Sequence, residues 1–116
     1  MSKTSKKNAS EIGKYYEDIA LQYLSSKGFN LIAKNFYSCY GEIDLIMYKD
    51  NILHFIEVKS SKFMNPLFKI TPNKMDKLIK TIHIFLMQYD YPYNFCIDAL
   101  GIYKDTICFI ENITMN

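Results

Sequence analysis

The stretch from residue 41 to residue 60 reads GEIDLIMYKDNILHFIEVKS. Two apolar runs, rich in β-branched and aromatic residues, flank the polar triplet Lys49-Asp50-Asn51. Such runs read as β-strands and the triplet as a turn. A two-residue loop at Asp50-Asn51 makes a hairpin in which residues equidistant from the turn face each other. Asp44 then stands opposite Glu57, and Glu42 opposite Lys59. Directly opposed residues share one face of the sheet, with Cβ atoms roughly 4.5–5.5 Å apart.

Two carboxylates opposed on one face repel, and burial makes the repulsion worse. A folded chain tolerates the pair if one carboxylate is protonated or if a cation sits between them. A hard cation such as Mg²⁺ takes carboxylate oxygens and keeps several waters. Lys59, two residues past Glu57, points to the same face, where it can hold a phosphate or position a water. Surface hairpins also carry such charges on a solvated face, and the spacing arises by chance; the charges here interrupt otherwise apolar strands, IDLIM and LHFIEVK, which favours a site.

Upstream, Ile12, Tyr16, Ile19, Ala20, Tyr23 and Leu24 recur at helical spacing. Ser10 is the expected N-cap and Lys27-Gly28 the stop, so a helix is predicted over about 10–27. Glu17 flanks its apolar stripe and can lean over the sheet edge toward the carboxylates, while Asp18 points to solvent. Gly13, one turn earlier, leaves room for a nucleic-acid backbone. Strands are predicted at 29–38, 41–48 and 52–60, then a loop at 61–70. Thr71-Pro72 opens a second helix, Thr as N-cap and Pro at N1, with Met75, Leu78, Ile79, Ile82, Leu86 and Tyr89 as its buried stripe. Tyr91-Pro92 stops it. Strands at 93–103 and 106–113 close the chain around a turn at Lys104-Asp105. The predicted order is α-β-β-β-α-β-β: a basic flexible tail at 1–9 and one α/β domain at 10–116.

Composition agrees with a globular domain. Of 116 residues, 49% are hydrophobic and 22% charged, with only 4 Gly and 3 Pro, which excludes disorder and low complexity. The 3 Cys, at 39, 96 and 108, form no C-x-x-C and are widely spaced, so neither a zinc site nor a disulfide framework is expected. Cys96 and Cys108 lie in apolar runs and read as small buried hydrophobes. The N-terminus lacks an apolar signal segment and no run is long enough to span a bilayer, so a cytoplasmic protein without membrane association is expected. Net charge is +2 and every basic residue is Lys. Lys holds phosphate as a point charge, whereas bidentate base reading is mostly Arg work. A nucleic-acid partner would be read by shape and backbone.

The runs Gly13-x-x-x-Glu17, Tyr23-Leu24-x-x-x-Gly28-Phe29, Asn35-Phe36, GEIDLI (41–46) and FIEVK (55–59) closely resemble the YraN-like family, an uncharacterised bacterial family assigned to the PD-(D/E)XK nuclease superfamily. The resemblance covers about residues 11–111 and continues through Lys74 and Asp98. It implies a restriction-endonuclease-like αβββαβ core, a mixed central sheet flanked by helices, and metal-dependent phosphodiester cleavage. It carries the motif Asp onto Asp44, the Glu onto Glu57 and the Lys onto Lys59. The helix Glu matches Glu17, as in similar archaeal Holliday-junction resolvases. Ile43 replaces the motif Pro. Ser61 stands where the family usually has Arg, and Cys96 likewise, so two phosphate contacts are lost, with Lys62 a partial substitute.

The resulting expectation is a nuclease acting on nucleic acid, DNA in structured or branched form. Asp44, Glu57 and the Val58 carbonyl would hold Mg²⁺ or Mn²⁺, with Lys59 and Glu17 completing the catalytic set. Glu42, Gly41 and Gly13 are supporting residues; Glu42 either pairs with Lys59 or serves as an outer carboxylate. Lys62, Lys74, Lys77 and Lys80, with Lys3, Lys6 and Lys7, read as a solvated face or as a phosphate track. Asp98 reads as structural, satisfied by backbone donors. His54 and His83 read as packing residues without partners at metal-ligand spacing. A homodimer is implied by analogy with branched-DNA cutters. The alternatives are a nucleic-acid-binding module of the same fold with little or no activity, and a protein-interaction or assembly factor in which only the fold survives.

Overall fold

The computed structural model describes residues 9–63, 65–90 and 94–113. Two helices flank a five-stranded sheet: α1 (Ala9–Ser26), β1 (Asn30–Ser38), β2 (Gly41–Lys49), β3 (Ile52–Ser61), a 3₁₀ turn (Pro66–Lys69), α2 (Pro72–Gln88), β4 (Asn94–Tyr103) and β5 (Thr106–Ile110). The strands lie in sequence order, β1-β2-β3-β4-β5. Only the β3–β4 pair is parallel; the others are antiparallel. The mixed α/β architecture matches the expectation. The tail expected at 1–9 lies outside the described residues except for Ala9, which opens α1, as do the Tyr91-Pro92 stop and the start of the fourth strand at Tyr93.

Local chemistry sets the element ends. Asp50 and Asn51 have φ of 52° and 64° between the paired Lys49 and Ile52, as a two-residue hairpin of the right twist requires. Lys104 and Asp105 repeat the device between Tyr103 and Thr106. Helix α1 ends at Gly28, φ 93°: the Phe29 N–H bonds back to the Leu24 carbonyl at 3.1 Å and the Gly28 N–H to that of Ser25 at 3.1 Å, a Schellman cap. Ser10 lies inside the helix and is not its cap. Thr71 does cap α2, accepting from the Lys74 N–H at 3.2 Å, with Pro72 at the first helical position.

Each helix covers one face. On the α1 side, Ala20, Leu24, Phe29, Leu45, Met47, Ile56, Leu100 and Ile102 form one core. On the α2 side, Ile43, Ile46, Leu53, Phe55, Leu78, Ile82, Phe85 and Ile97 form the other. Burying one such side chain contributes about 1.5–3 kcal/mol. The α2 stripe is centred on Leu78, Thr81, Ile82 and Phe85, one position round from the predicted phase, so Tyr89 is exposed. Ile12 is also exposed, because α1 reaches the sheet only from its second turn. Cys108 is exposed too: β5 is an edge strand, and alternate residues face outward. That strand stops at Ile110, short of the predicted 113. Asn112, φ 57°, turns the chain so that the Ile113 N–H reaches the Ile97 carbonyl at 2.7 Å. Among the described residues, no helix is long and apolar enough to cross a membrane.

Candidate metal centre at the strand fork

The β2–β3 ladder runs from Lys49↔Ile52 to Leu45↔Ile56 and ends there. Beyond it the two strands part. The first residues of β2 pair only with β1, from Ser38↔Gly41 to Phe36↔Ile43, and the end of β3 pairs only with β4, from Glu57↔Ala99 to Ser61↔Tyr103. Asp44 and Glu57 are the first residues past the last rung. In place of a backbone rung, the Val58 N–H donates to Asp44 Oδ2 at 2.8 Å. An extended residue points its N–H and C=O to the same side, so the Val58 carbonyl also faces the fork, as the expected ligand set requires.

The two carboxyls meet as the register predicts. Asp44 is buried, 8% exposed, and its pKa is pushed up to about 8, first by burial and then by the Glu57 charge and a hydrogen bond with Glu57. Lys59 Nζ lies 4.0 Å from Glu57 Oε2. The Glu42–Lys59 pairing allowed by the extrapolated register is not the one that forms, because the fork carries Glu42 away on the β1–β2 arm. There Glu42 engages Tyr37, its cross-strand partner. A cleft of about 220 Å³ opens at the fork, lined by Asp44, Glu57, Lys59, Lys74, Lys77 and Tyr40, with Gly41, Glu42 and Leu78 completing the wall. Lys74 and Lys77 thus face the carboxylates from α2 and do not point away from them. Lys80 lies over the Tyr40 ring, 5.2 Å from its centroid.

Glu17 approaches from α1. Its pKa is pushed up to about 7, by burial first and by Asp44 next, with Glu42 adding and an Asn35 hydrogen bond opposing. Asn35 has φ of 52° inside β1, between the residues paired to Ile43 and Leu45, which sets it across from Asp44. Asn tolerates this left-handed conformation better than other non-glycine residues. The neighbouring Lys34–Asp18 ion pair, 3.2 Å, ties α1 to β1. Asn35 was visible in the sequence only as part of an Asn-Phe pair; its role depends on backbone geometry that no pattern announces. Among the described residues, no third His, Cys or carboxylate brings a ligand atom within 4.8 Å of both Asp44 and Glu57, so Glu17 stands in an outer position.

Two expected residues lie elsewhere. Lys62 borders a different cleft with Tyr16 and Lys104. Gly13 does not line the fork, and a Cβ there would meet nothing within 4 Å. His83 is exposed. The reading of His54 as partnerless is corrected: on the α1 side its Nδ1 contacts Asp98 Oδ2 at 2.5 Å and Cys96 Sγ at 3.2 Å. Asp98, 0% exposed, also accepts from the Asn112 N–H at 2.8 Å. Burial and Asp98 push the Cys96 thiol up to about 12.

The sequence model of the uncharacterised protein family UPF0102 matches residues 16–102, a span holding Glu17, both arms of the fork and Asp98. The chain belongs to the UPF0102 family. A UPF0102 protein of Campylobacter fetus is 44% identical over 99 residues, covering 84% of this chain and 88% of its own. One from Helicobacter pylori strain P12 is 46% identical over 104 residues, 90% and 91% of the two chains. One from Helicobacter hepaticus is 43% identical over 108 residues, 93% and 98%. The UPF0102 relatives therefore match over nearly their whole length, and their names carry no activity.

Proposed function

We propose that this UPF0102 protein is a metal-dependent nuclease whose active site is the β2–β3 fork. The observation that carries the reading is the buried Asp44–Glu57 pair facing Lys59, Lys74 and Lys77 across one cleft. An ion-free pair of this kind holds a proton near neutral pH; a divalent cation replaces that proton and relieves the repulsion. The donors are all oxygens, Asp44, Glu57 and the Val58 carbonyl, which suits Mg²⁺ or Mn²⁺. The α-β-β-β-α-β order, with Asp44 on the second strand and Glu57-x-Lys59 on the third, supports the restriction-endonuclease-like reading.

When bound, the ion supplies a polarised phosphate and a water of lowered pKa. The chain's own groups do the rest. Val58 N–H fixes the Asp44 carboxylate. The Lys59 ammonium orients the attacking water and stabilises charge growing on the phosphate. Lys74 and Lys77 neutralise the flanking phosphodiester, and Tyr40, at the cleft, offers a ring to an unpaired base. Glu17 closes the acidic wall from α1. Without Arg, contacts are to backbone rather than base edges, which favours structured DNA, bound in this reading by a homodimer.

The test is incubation with Mg²⁺ or Mn²⁺ and linear duplex, single strand, flap, four-way junction and RNA. Cleavage of at least one structured DNA is expected, weakening steeply with salt. Asp44→Asn should abolish it, and Lys59→Ala should abolish it while metal binding persists. Cutting that survives Asp44→Asn belongs to a contaminant. Salt-sensitive binding without cutting would replace this reading with the binding module.

A further inference from the structure

We propose that His54, Cys96 and Asp98 form a second metal site, for a borderline-soft divalent ion such as Zn²⁺, on the α1 face of the sheet. The parallel pairing of β3 with β4 sets His54 beside Cys96 and Ile56 beside Asp98. His54, Cys96 and Asp98 therefore project from the same face within two rungs. Cys96 Sγ lies 3.2 Å from His54 Nδ1 and 3.2 Å from Asp98 Oδ1, and all three residues offer a ligand atom within 4.8 Å of the others. A tetrahedral zinc with bonds of about 2.0–2.3 Å holds its ligand atoms roughly 3.3–3.8 Å apart. The cluster needs only a sub-ångström opening to reach that spacing.

The surroundings are those of a held ligand set. The Asn112 N–H fixes the Asp98 carboxylate, and the Phe29 ring packs edge-on against His54, centroids 4.8 Å apart, orienting the imidazole as outer residues do around bound metals. His54 and Asp98 are buried, while Cys96 is half-buried, so an ion enters past the sulfur and a water completes its fourth position. Nitrogen, sulfur and one carboxylate select zinc over magnesium. The fork, on the other face, offers oxygen only, so the two sites do not compete for the same ion.

Cobalt(II) reads the site directly, because a thiolate on tetrahedral Co²⁺ gives a near-ultraviolet charge-transfer band that an all-oxygen site cannot give. Titration of the chelator-treated full chain should produce that band at one equivalent, and Zn²⁺ should displace it. Cys96→Ser should remove the band. His54→Ala should weaken Co²⁺ binding about tenfold or more. The double variant Cys39→Ser, Cys108→Ser, and separately Asp44→Asn, should keep the band. Circular dichroism of each metal-free variant checks folding, and Cys96→Ser alone decides if His54→Ala does not fold. The proposal is overturned if millimolar Co²⁺ gives no thiolate band, if the band survives Cys96→Ser, or if it disappears with the exposed cysteines or with Asp44. Nuclease activity plays no part in these readings.

Discussion

Asp44 on β2 and Asp98 on β4 are both buried aspartates in central strands, and their surroundings are opposite. The oxygens of Asp98 meet the His54 ring, the Asn112 N–H and the Cys96 thiol. Asp44 accepts from the Val58 N–H and shares a hydrogen bond with Glu57, another carboxyl, with Glu42 and Glu17 nearby. Asp98 sits where two strands pair fully; Asp44 sits where two strands part. The contrast separates a carboxylate that holds the sheet together from one that the sheet holds against its own preference, the condition expected of a group kept for chemistry.

The strongest way to break this contrast is to neutralise each aspartate. Asp98→Ala leaves His54 and the Asn112 N–H without their acceptor, and a loss of about 3 kcal/mol is expected in urea unfolding. Above pH about 8, where the ion-free pair has lost its proton, Asp44→Asn removes one charge of a repelling pair, and a change between zero and a gain of about 1 kcal/mol is expected. Equal losses from the two would end the distinction.

The pH dependence sharpens it. The Asp44 pKa rises from 3.8 to about 8 on folding, so between those values the folded state binds more protons than the unfolded state. The Asp44 contribution to the stability of the ion-free protein then falls as pH rises from about 4 to about 8, with a limiting slope of ~1.4 kcal/mol per pH unit for one proton. Asp44→Asn should remove most of this slope, and millimolar Mg²⁺ should flatten it by favouring the ionised pair. A metal-free parent whose stability, measured against Asp44→Asn, is level or increases over that range would contradict the arrangement.

Asn35 tests the α1 contribution. Asn35→Ala puts at φ 52° a residue that tolerates the left-handed region less well than Asn and removes the hydrogen bond to Glu17, with an expected loss of ~1 kcal/mol. NMR titration should show Glu17 moving further above its present value of about 7. Asn35→Gly should recover the backbone part and leave the Glu17 shift. The smallest effect belongs to Glu17→Gln, with stability within about 0.5 kcal/mol of the parent and an Asp44 titration moved slightly down.

The hairpin and its carboxylate pair were legible because a two-residue turn fixes register locally: once Asp50-Asn51 is the loop, the ladder carries Leu45 to Ile56 and leaves Asp44 and Glu57 side by side one step past its last rung. The fork was not legible. Nothing in the alternation of GEIDLI marks where β2 leaves β3, so Glu42 was carried across to Lys59 by a register that had already ended. The Asp98 cluster was hidden for a different reason. The parallel register of β3 on β4 is set by a crossover through α2, and no local pattern pairs residue 54 with residue 96. His54 therefore read as packing, and Asp98 as satisfied by backbone donors; the Asn112 N–H is such a donor, but the His54 ring and the Cys96 thiol share the partnership. Lys74 and Lys77 read correctly as a basic row, but their direction followed from how α2 lies on the sheet.

The same difference in connectivity has a consequence in time. β2 and β3 are joined by two residues and can pair within microseconds, whereas β3 and β4 must wait for an excursion through residues 62–93 to close. Above pH about 8 the Asp44–Glu57 repulsion is then already present at the folding barrier, and the Asp98 contacts are not. Relieving the first should quicken folding with little change in unfolding, while losing the second should leave folding nearly alone and hasten unfolding. The two aspartates would appear on opposite arms of one chevron.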